Sequence, residues 1–352
     1  MRTFSYSALR ERRWYPEMES LAGSVSAAAR RTEPLLQEKG DDLQALARAA
    51  RLKNITASNA IEGITAPDSR ISLLCDGKDD PQSTAEQQIA GYADAHDVIL
   101  ESFDAIPLTP NYILQLHKIL YGRTGATWAG KTKSVQNYIS ATYPDGHTET
   151  LFTPPSPFET PEALSNLCDE FRRAAGAGET DFLIAMPVFI HDFLCIHPFN
   201  DGNGRMSRLL TLLLLYRADY NVGKYISLEK LISGSKETYY ETLQASSEGW
   251  HEGENDYAPF VAYLLGIIAA AYREFDSRTE LLSQKGVSKP DRISALIKDH
   301  LGTITKTEIM EQLPDISQAT VQRTLAELLK AEKIIKLGGG RYTKYTWNRE
   351  ND

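Results

Sequence analysis

The sequence predicts a mainly α-helical protein that is divided into more than one domain. Its 352 residues exceed the roughly 150 residues of an ordinary domain, and long stretches are rich in Ala, Leu, Glu and Arg, which favour helices. Hydrophobic residues form 42% of the chain and charged residues 24%, a balance that supports buried cores and excludes wholesale disorder. Strands are predicted at only two places, near the middle of the chain and at its C-terminal end.

Helical patterns fill the first predicted region, residues 1–105, and most of the second, residues 106–282. In the first region they cover residues 24–37, 42–61 and 85–103. In the second they cover residues 110–121, 161–174, 181–196, 204–220, 236–247 and 258–278. Between Gly122 and Pro157 the composition changes to Gly, Pro and β-prone residues, which predicts a β-hairpin with loops.

The third predicted region, residues 283–352, begins with a polar segment at 283–290 that lacks apolar periodicity and indicates a linker. Helices are predicted at residues 292–300, 306–313 and 317–331. Two short β-prone runs then flank residues 338–340. Three helices followed by a glycine-tipped hairpin is the order of a winged helix-turn-helix domain.

Charge and cysteine content favour a cytoplasmic protein. The formal net charge of −9 argues against binding of nucleic acid or an anionic membrane by the whole surface. The 3 cysteines are too few for a disulfide framework. No apolar segment follows the arginine-rich N-terminus, so no cleaved signal is expected. The apolar run 258–272 is shorter than the roughly 20 residues that span a bilayer, so no membrane contact is expected either.

The segment 197–208, HPFNDGNGRMSR, lies between two apolar helical patterns and has the features of an anion site. Its proline and glycines end the first helix and let the backbone turn N–H groups towards one point at the start of the next. Such N–H groups bind anions, and Arg205 and Arg208 can pair with phosphate oxygens from the same helix end. The pattern predicts a polyphosphate site.

Two more side chains of this segment suit phosphate chemistry. Asp201 is an acidic residue in an anion-binding loop, which makes sense if it holds Mg²⁺ that bridges phosphate oxygens. His197 has an ordinary pKa near neutrality and is a candidate general base. The alternative is a glycine-rich turn in which Asp201 or Asn203 caps the helix and the arginines are solvated. The combination of all these residue types in one short segment disfavours that alternative.

The segment resembles the Fic-family signature, His-Pro-Phe-x-Asp/Glu-Gly-Asn-Gly-Arg-x-x-Arg, at every defined position. The resemblance implies a Fic-type helical core and a protein adenylyltransferase, which transfers AMP from ATP to a Ser, Thr or Tyr hydroxyl of a protein and releases pyrophosphate. It implies that His197 deprotonates the hydroxyl and that Asp201 binds Mg²⁺. The phosphates would be bound by the other signature residues, Gly202, Asn203, Gly204, Arg205 and Arg208. The two glycines argue against the Doc-type kinase branch.

Two other segments extend the resemblance. Residues 128–140 and 152–157 resemble the flap hairpin that docks a target segment by strand addition, with Lys133 where the family often has Arg. The docking residues would be Val135, Gln136, Asn137, Tyr138 and Ile139. Tyr239 and Tyr240 resemble a tyrosine pair that lines the adenine pocket. The alternatives are a surface loop packed on the helices and a tyrosine pair in the core.

An inhibitory motif is the last part of the resemblance. The segment SNAIEG at 58–63 resembles the motif Ser/Thr-x-x-x-Glu-Gly/Asn, and Ser58 and Glu62 share one helix face, with Gly63 suited to end the helix. In the family the glutamate pairs with the second arginine of the signature, here Arg208, and blocks the γ-phosphate position. The alternative is a helix-terminal glutamate in water.

Two functions of different classes follow. The first is an autoinhibited protein adenylyltransferase that acts on a protein substrate, with self-modification as an additional prediction. The second is a DNA-binding transcriptional regulator that acts through helix 317–331 of the winged helix. Residues 290–352 contain ten basic and nine acidic residues, and the resulting net charge of +1 is low for a DNA-binding domain. Both DNA and protein therefore remain candidate partners of this region. A homodimer is a further candidate assembly. His191 and Asp192 are interpreted as packing or supporting residues rather than metal ligands.

Overall fold

The computed structural model describes residues 2–37, 41–142, 146–283, 288–300, 302–340 and 343–348. The protein is mainly helical, as predicted. The N-terminal helices are α1 (Tyr15–Gln37), α2 (Asp41–Ile61), α3 (Asp68–Cys75), α4 (Thr84–Ser102) and α5 (Pro110–Leu120). After the hairpin strands β1 (Ile139–Thr142) and β2 (Thr148–Phe152) come α6 (Thr160–Gly176), α7 (Phe182–Ile196), α8 (Asn203–Arg217), α9 (Leu228–Gly234), α10 (Lys236–Ser247) and α11 (Ala258–Ser283).

The sequence patterns located most of these helices but missed two short ones, α3 and α9. Helix α1 is also longer than predicted, since it begins at Tyr15 and continues through Pro34. Several helices begin where a side chain accepts the free backbone N–H groups of the first turn. Ser83 accepts from the N–H of Glu86, and Thr109 accepts from that of Tyr112.

Helices α7 and α8 form the centre of the core and position the loop 197–202 between them. Every residue of α7 after Phe182 is buried because the helix is apolar on all sides and packs against α6, α8 and α11. Most of α8 is buried too, including two arginines near its start, Arg205 and Arg208. The loop 197–202 therefore connects two helices that the core holds rigidly.

The predicted hairpin is present, with antiparallel strands β1 and β2 and an irregularity in register between Ile139 and Ser140. The strand begins at Ile139, so the preceding residues 135–138 are a loop rather than part of the strand. Val135 and Tyr138 in this loop are exposed. Of the five residues predicted to dock a target, only Ile139 lies in a strand.

The C-terminal part has its own elements and its own core. They are α12 (Lys289–Asp299), β3 (Ile304–Thr305), α13 (Lys306–Gln312), α14 (Gln318–Lys330), β4 (Ile334–Leu337) and β5 (Lys344–Trp347). The strands form an antiparallel sheet in the order β3-β5-β4. Side chains from all three helices, among them Ile293, Ile309 and Val321, form a hydrophobic cluster that is separate from the main core. Residues 284–287 of the predicted linker lie outside the described residues.

Helix α11 meets the length and composition criteria for a membrane span over Ala258–Glu280, with a mean hydropathy of 1.3. The sequence prediction counted only the uncharged run and so found it too short. Half of the apolar stretch of this helix is buried inside the fold, where α11 packs against α1, α7 and α10. The apolar side chains of this helix thus contribute to the core.

The packing of α4 against α5 makes a prediction about Gly91. A Cβ atom at Gly91 would lie 2.2 Å from the carbonyl oxygen of Leu120, and this backbone atom cannot rotate away. We expect Gly91→Ala to lower the free energy of unfolding by about 3 kcal/mol, measured by urea denaturation. The control is Gly23→Ala in α1, where nothing lies within 4 Å, and which should raise it by about 0.5–1 kcal/mol. Equal stability of Gly91→Ala and the parent would contradict this helix packing.

Candidate active site

The loop between α7 and α8 turns at two left-handed residues. His197 ends α7 with φ 49° and ψ 61°, and its N–H donates to the carbonyl of Phe193. Gly202 has φ 85°, and a Cβ there would lie 2.8 Å from the ring of Tyr121, so both conformation and space favour glycine. Helix α8 begins at the next residue, Asn203. Its first N–H groups have no acceptor within the helix, which is the geometry of an anion site.

The side chain of Asn203 holds this loop in shape. Its Oδ1 accepts from the N–H of Phe199 and its Nδ2 donates to the carbonyl of Phe199, both at 2.9 Å. The side chain is buried, with 2% of its surface exposed. Only the backbone of Asn203 is therefore available for the phosphate binding that the signature implies.

His197 is held as a neutral base. Its Nδ1 lies 3.1 Å from the carbonyl oxygen of Leu194, which can only accept, so Nδ1 carries the proton and Nε2 keeps a free lone pair. The pKa of His197 is lowered to about 4, chiefly by burial and also by the charge of Lys133, against the opposing effect of the Leu194 carbonyl. At neutral pH the imidazole is therefore uncharged and able to take a proton at Nε2.

Arg208 is bound by two residues of the segment 58–63 at the end of α2. Its Nε donates to Ser58 Oγ at 2.8 Å, and its Nη2 donates to the Ser58 carbonyl at 2.9 Å and to Glu62 Oε1 at 2.7 Å. Burial, the largest single effect, lowers the pKa of Arg208, but the charge of Glu62, the hydrogen bond to it and the nearby Tyr239 and Tyr92 together raise it more, so the net direction is upward. The guanidinium is 3% exposed, and its Nη1 is buried with no hydrogen-bond partner.

The end of α2 places Glu62 against the start of α8. Gly63 has φ 76° and ends the helix, and the N–H of Ile64 returns to the carbonyl of Asn59. A Cβ at Gly204 would lie only 2.3 Å from Glu62 Oε1. The Glu62 carboxylate thus occupies the space directly above the first turn of α8, where an anion would bind.

Arg205 lies beneath the loop. Its guanidinium stacks on the ring of Tyr121 at 5.0 Å and donates to the Tyr121 hydroxyl. It also lies 3.5 Å from Asn59 Oδ1 and 3.8 Å from Asp201 Oδ2. The side chain is 1% exposed, so its charge acts on the loop from below rather than from solvent.

A cavity of about 500 Å³ connects the loop, the hairpin and α10. Tyr239 in its wall is buried, whereas Tyr240 is 45% exposed. The resemblance had assigned this tyrosine pair to an adenine pocket, and the structure places both residues in one cavity with His197 and Arg208. The other lining residues are Glu62, Gly204, Ile139, Ser140, Ala141, Leu151, Phe152, Leu194, Cys195, Leu243, Gln244 and Ser247.

The segment before β1 fastens the hairpin to the loop. Lys133 Nζ donates to Asn137 Oδ1 at 2.9 Å and to the carbonyl of Ile196 at 3.1 Å. Asn137 Nδ2 in turn donates to the carbonyls of His197 and Phe199. Burial lowers the pKa of Lys133 to about 8. Asn137 is therefore placed to position the loop, and Gln136 bonds the hairpin base at Pro154.

A metal can be held here only with help from a ligand. Among the described residues, no group of three or more His, Cys, Asp and Glu side chains is clustered as a metal site would be. The Asp201 side chain is 62% exposed, and its Oδ1 accepts from the N–H of Gly202 at 2.6 Å. One accessible carboxylate fits Mg²⁺ that takes most of its other ligands from phosphate oxygens and water.

Sequence reasoning missed His117 on α5 and Tyr121, the residue that follows this helix. The N–H of Gly130 donates to His117 Nδ1, so Nε2 carries the proton and donates to the carbonyl of Asp201 at 3.1 Å. Burial lowers the pKa of His117 to about 4, which keeps it neutral in this role. The ring also stacks on Phe199 at 3.7 Å. The available signal was the spacing of four residues, which places His117 and Tyr121 on one helix face.

His191 and Asp192 lie behind the cavity, in agreement with their interpretation as supporting residues. Asp192 is fully buried and accepts hydrogen bonds of 2.7 Å from three side chains, those of Tyr6, Trp250 and Tyr257. This network ties the N-terminal segment and the start of α11 to α7.

The fold and the site define a helical domain with an anion-binding loop beside a cavity of substrate size. Residues 107–215 match the family model described as Fic/DOC family. The chain therefore carries a Fic domain, as the signature in the loop predicted.

Curated relatives share this region. Protein adenylyltransferase Fic of Culex quinquefasciatus is 30% identical over 161 residues, which are 45% of this chain and 27% of that protein. Protein adenylyltransferase fic-1 of Caenorhabditis elegans is 26% identical over 152 residues, 43% of this chain and 25% of that protein. The chain thus covers about a quarter of the length of these relatives. Nothing in these matches supports a DNA-binding regulator.

Solved structures share the fold. A Fic family protein from Desulfovibrio desulfuricans G20 has a TM-score of 0.62 and 23% identity, and the match covers 95% of this chain and 96% of that one. A signaling protein with a Fic domain from Bacteroides thetaiotaomicron VPI-5482 has a TM-score of 0.60 and 22% identity, and the match covers 72% of this chain and 94% of that one. At these identities the likeness concerns the fold.

The environment of His197 predicts its titration. We expect long-range ¹⁵N NMR of the histidine rings to show a proton on Nδ1, a bare Nε2 and a pKa near 4, because burial disfavours the imidazolium. The signal is assigned to His197 by its absence from the spectrum of the variant His197→Gln. A pKa at the ordinary value of 6.5, or a proton on Nε2 at neutral pH, would contradict the geometry of this site.

Proposed function

We propose that this chain is a protein adenylyltransferase that transfers AMP from ATP to a hydroxyl side chain of a protein and releases pyrophosphate. The observation that carries the proposal is the open Nε2 of a neutral His197 in the same cavity as Arg208 and the start of α8. The names of the curated relatives support the same reaction.

In the proposed reaction, Nε2 of His197 takes the proton of the target hydroxyl as its oxygen attacks the α-phosphorus of ATP. A bond forms between that oxygen and the α-phosphorus, and the bond from the α-phosphorus to the bridging oxygen breaks, so pyrophosphate leaves. The backbone N–H groups of Asn203 and Gly204 and the guanidinium of Arg208 stabilise phosphate charge, and that of Gly202 can join them once it leaves Asp201 Oδ1. Asp201 would hold Mg²⁺, which when bound neutralises charge on the phosphates.

In this proposal Arg205 supports phosphate binding and the hairpin docks the target protein. Arg205 adds positive charge under the loop from its place on Tyr121, close to the bound phosphates. A target segment would add to the hairpin near Ile139, which lines the cavity, and the exposed Val135 and Tyr138 are available to contact it.

We further propose that Glu62 inhibits the enzyme. Its carboxylate and the γ-phosphate would compete for the guanidinium of Arg208, and a carboxylate bonded at 2.7 Å is already in place. With Glu62 there, ATP binds weakly or with its α-phosphate misaligned for attack.

Other properties of the chain stay predictions. The order of α12, α13 and α14 followed by β4 and β5 supports a winged helix-turn-helix domain, and Cys75, Cys168 and Cys195 as free thiols support a cytoplasmic location. Contact with DNA or protein through residues 290–352, self-modification, a homodimer and the domain limits 1–105, 106–282 and 283–352 remain to be tested.

Substitution of the proposed base tests the reaction. We expect His197→Ala to lower incorporation of labelled AMP by at least about a hundredfold, in keeping with the contribution of general bases. Its ATP affinity, measured by calorimetry, should stay within about threefold of the parent, because the phosphates bind to the loop and Arg208. Undiminished incorporation by His197→Ala would refute the assignment of His197.

Removal of the inhibitory carboxylate tests the brake. We expect Glu62→Gly to raise AMP incorporation at least about tenfold, since a charge-assisted hydrogen bond at Arg208 is exchanged for one to phosphate. The gain should vanish in the double variant Glu62→Gly, Arg208→Ala, where the phosphate partner is also gone.

The matched control is Glu101→Gly, an exposed glutamate near the end of α4, which should leave incorporation unchanged. If Glu62→Gly behaves like this control at saturating ATP and Mg²⁺, Glu62 is not an inhibitor.

A further inference from the structure

Helix α2 presents two different faces to the rest of the protein. One face contains Ser58, Asn59 and Glu62, which contact Arg208 and Arg205 at the candidate active site. These positions repeat at the three- and four-residue spacing of a helix.

The other face of α2 lines a cleft of about 670 Å³ towards the C-terminal part of the chain. Its residues have the same helical spacing but are rotated by more than a right angle from the first face. They are Ala49, Leu52, Lys53, Thr56, Ala57 and Ala60. Helix α2 thus lies between the active-site arginines on one side and a cleft to the C-terminal elements on the other, while α9, α4 and α3 pack against the rest of its surface.

Glu311 of α13 joins three elements at this cleft. Its Oε2 lies 3.1 Å from Lys53 Nζ on α2, and its backbone carbonyl accepts from Arg278 Nη1 on α11 at 2.9 Å. The side chains of Lys53 and Glu311 are 22% and 38% exposed. The contact is therefore partly shielded from water and fixes α13 against α2 and α11.

The contact can open without unfolding either side. The C-terminal elements have a hydrophobic cluster of their own, so their folding does not depend on the contact with α2. The ion pair between Lys53 and Glu311 beside the cleft is partly exposed to water. Partly exposed ion pairs contribute little to stability, so their loss changes the position of a helix more readily than it unfolds a domain. Gln318, the first residue of α14, lines the same cleft, so a partner that covers the start of α14 would lie beside α2.

We infer that the C-terminal part of the chain braces α2, so that the ion pair between Lys53 and Glu311 determines how firmly Glu62 holds Arg208. Lys53 and Glu311 are then positioning residues, which act through Glu62 and touch no substrate. The inference rests on the proposed adenylyltransferase activity and its inhibition by Glu62.

Charge reversal on the full-length chain tests the brace. We expect Lys53→Glu and Glu311→Lys each to raise AMP incorporation and ATP affinity about twofold to fivefold, because like charges then face each other across the contact. The double variant Lys53→Glu, Glu311→Lys should return both quantities to the parent level, since the pair is restored with its charges exchanged. Glu311→Gln, a milder change, should give a smaller rise.

Two controls separate the outcomes. Arg48→Glu reverses an exposed charge of the same helix outside the cleft and should leave both quantities unchanged. In a Glu62→Gly background, Lys53→Glu should have no further effect, because the contact it acts through is absent. Thermal unfolding of each variant establishes that it is folded.

The results distinguish the two hypotheses. If Glu62→Gly transfers no AMP, the proposed function fails whatever the cleft variants do. If Glu62→Gly is active but the folded variants Lys53→Glu, Glu311→Lys and Glu311→Gln match the parent in both AMP incorporation and ATP affinity, the brace is wrong. A rise in the single variants that the double charge exchange does not reverse also overturns it.

Discussion

A buried guanidinium that requires an anion governs the arrangement of this site. Arg208 lies in the first turns of a helix that the core surrounds, so its charge is removed from water and must be compensated by hydrogen bonds and a negative group. Ser58 supplies two acceptors, and Glu62 supplies the charge. A phosphate can compensate the same charge. In the proposed function, inhibition and substrate binding are thus two solutions to one electrostatic requirement, and whichever anion is present would determine the state.

The loop that carries the proposed base is held by side chains that bond to its backbone. His117 donates to the carbonyl of Asp201, Asn203 bonds both backbone groups of Phe199, and Lys133 and Asn137 reach carbonyls between 196 and 199. Each contact satisfies a backbone group that the turn leaves without a helical partner. The same contacts fix the orientation of the His197 ring, and a proton transfer depends on that orientation.

Helix α2 links this site to a distant part of the chain. A helix is stiff along its length, so a contact at Lys53 and one at Glu62 cannot move independently. The first contact is a partly exposed ion pair and the second joins a partly exposed carboxylate to a buried guanidinium. In the proposed brace, the contact at Lys53 is the one that a partner would break, and the contact at Glu62 is where the consequence for ATP would appear.

The amino-acid sequence alone determined the helical character, the hairpin, the glycine-containing loop 197–202 and the helix end that carries Ser58 and Glu62. These depend on short-range properties: glycines that permit left-handed turns, helical spacing that places Ser58 and Glu62 on one face, and residue types grouped in a dozen positions. Only the tertiary structure decided that Arg205 lies under the loop on Tyr121, that Asn137 bonds the loop, and that Glu311 meets Lys53. These contacts join residues far apart in the chain, and no local pattern specifies which distant segments the packing of the core brings together.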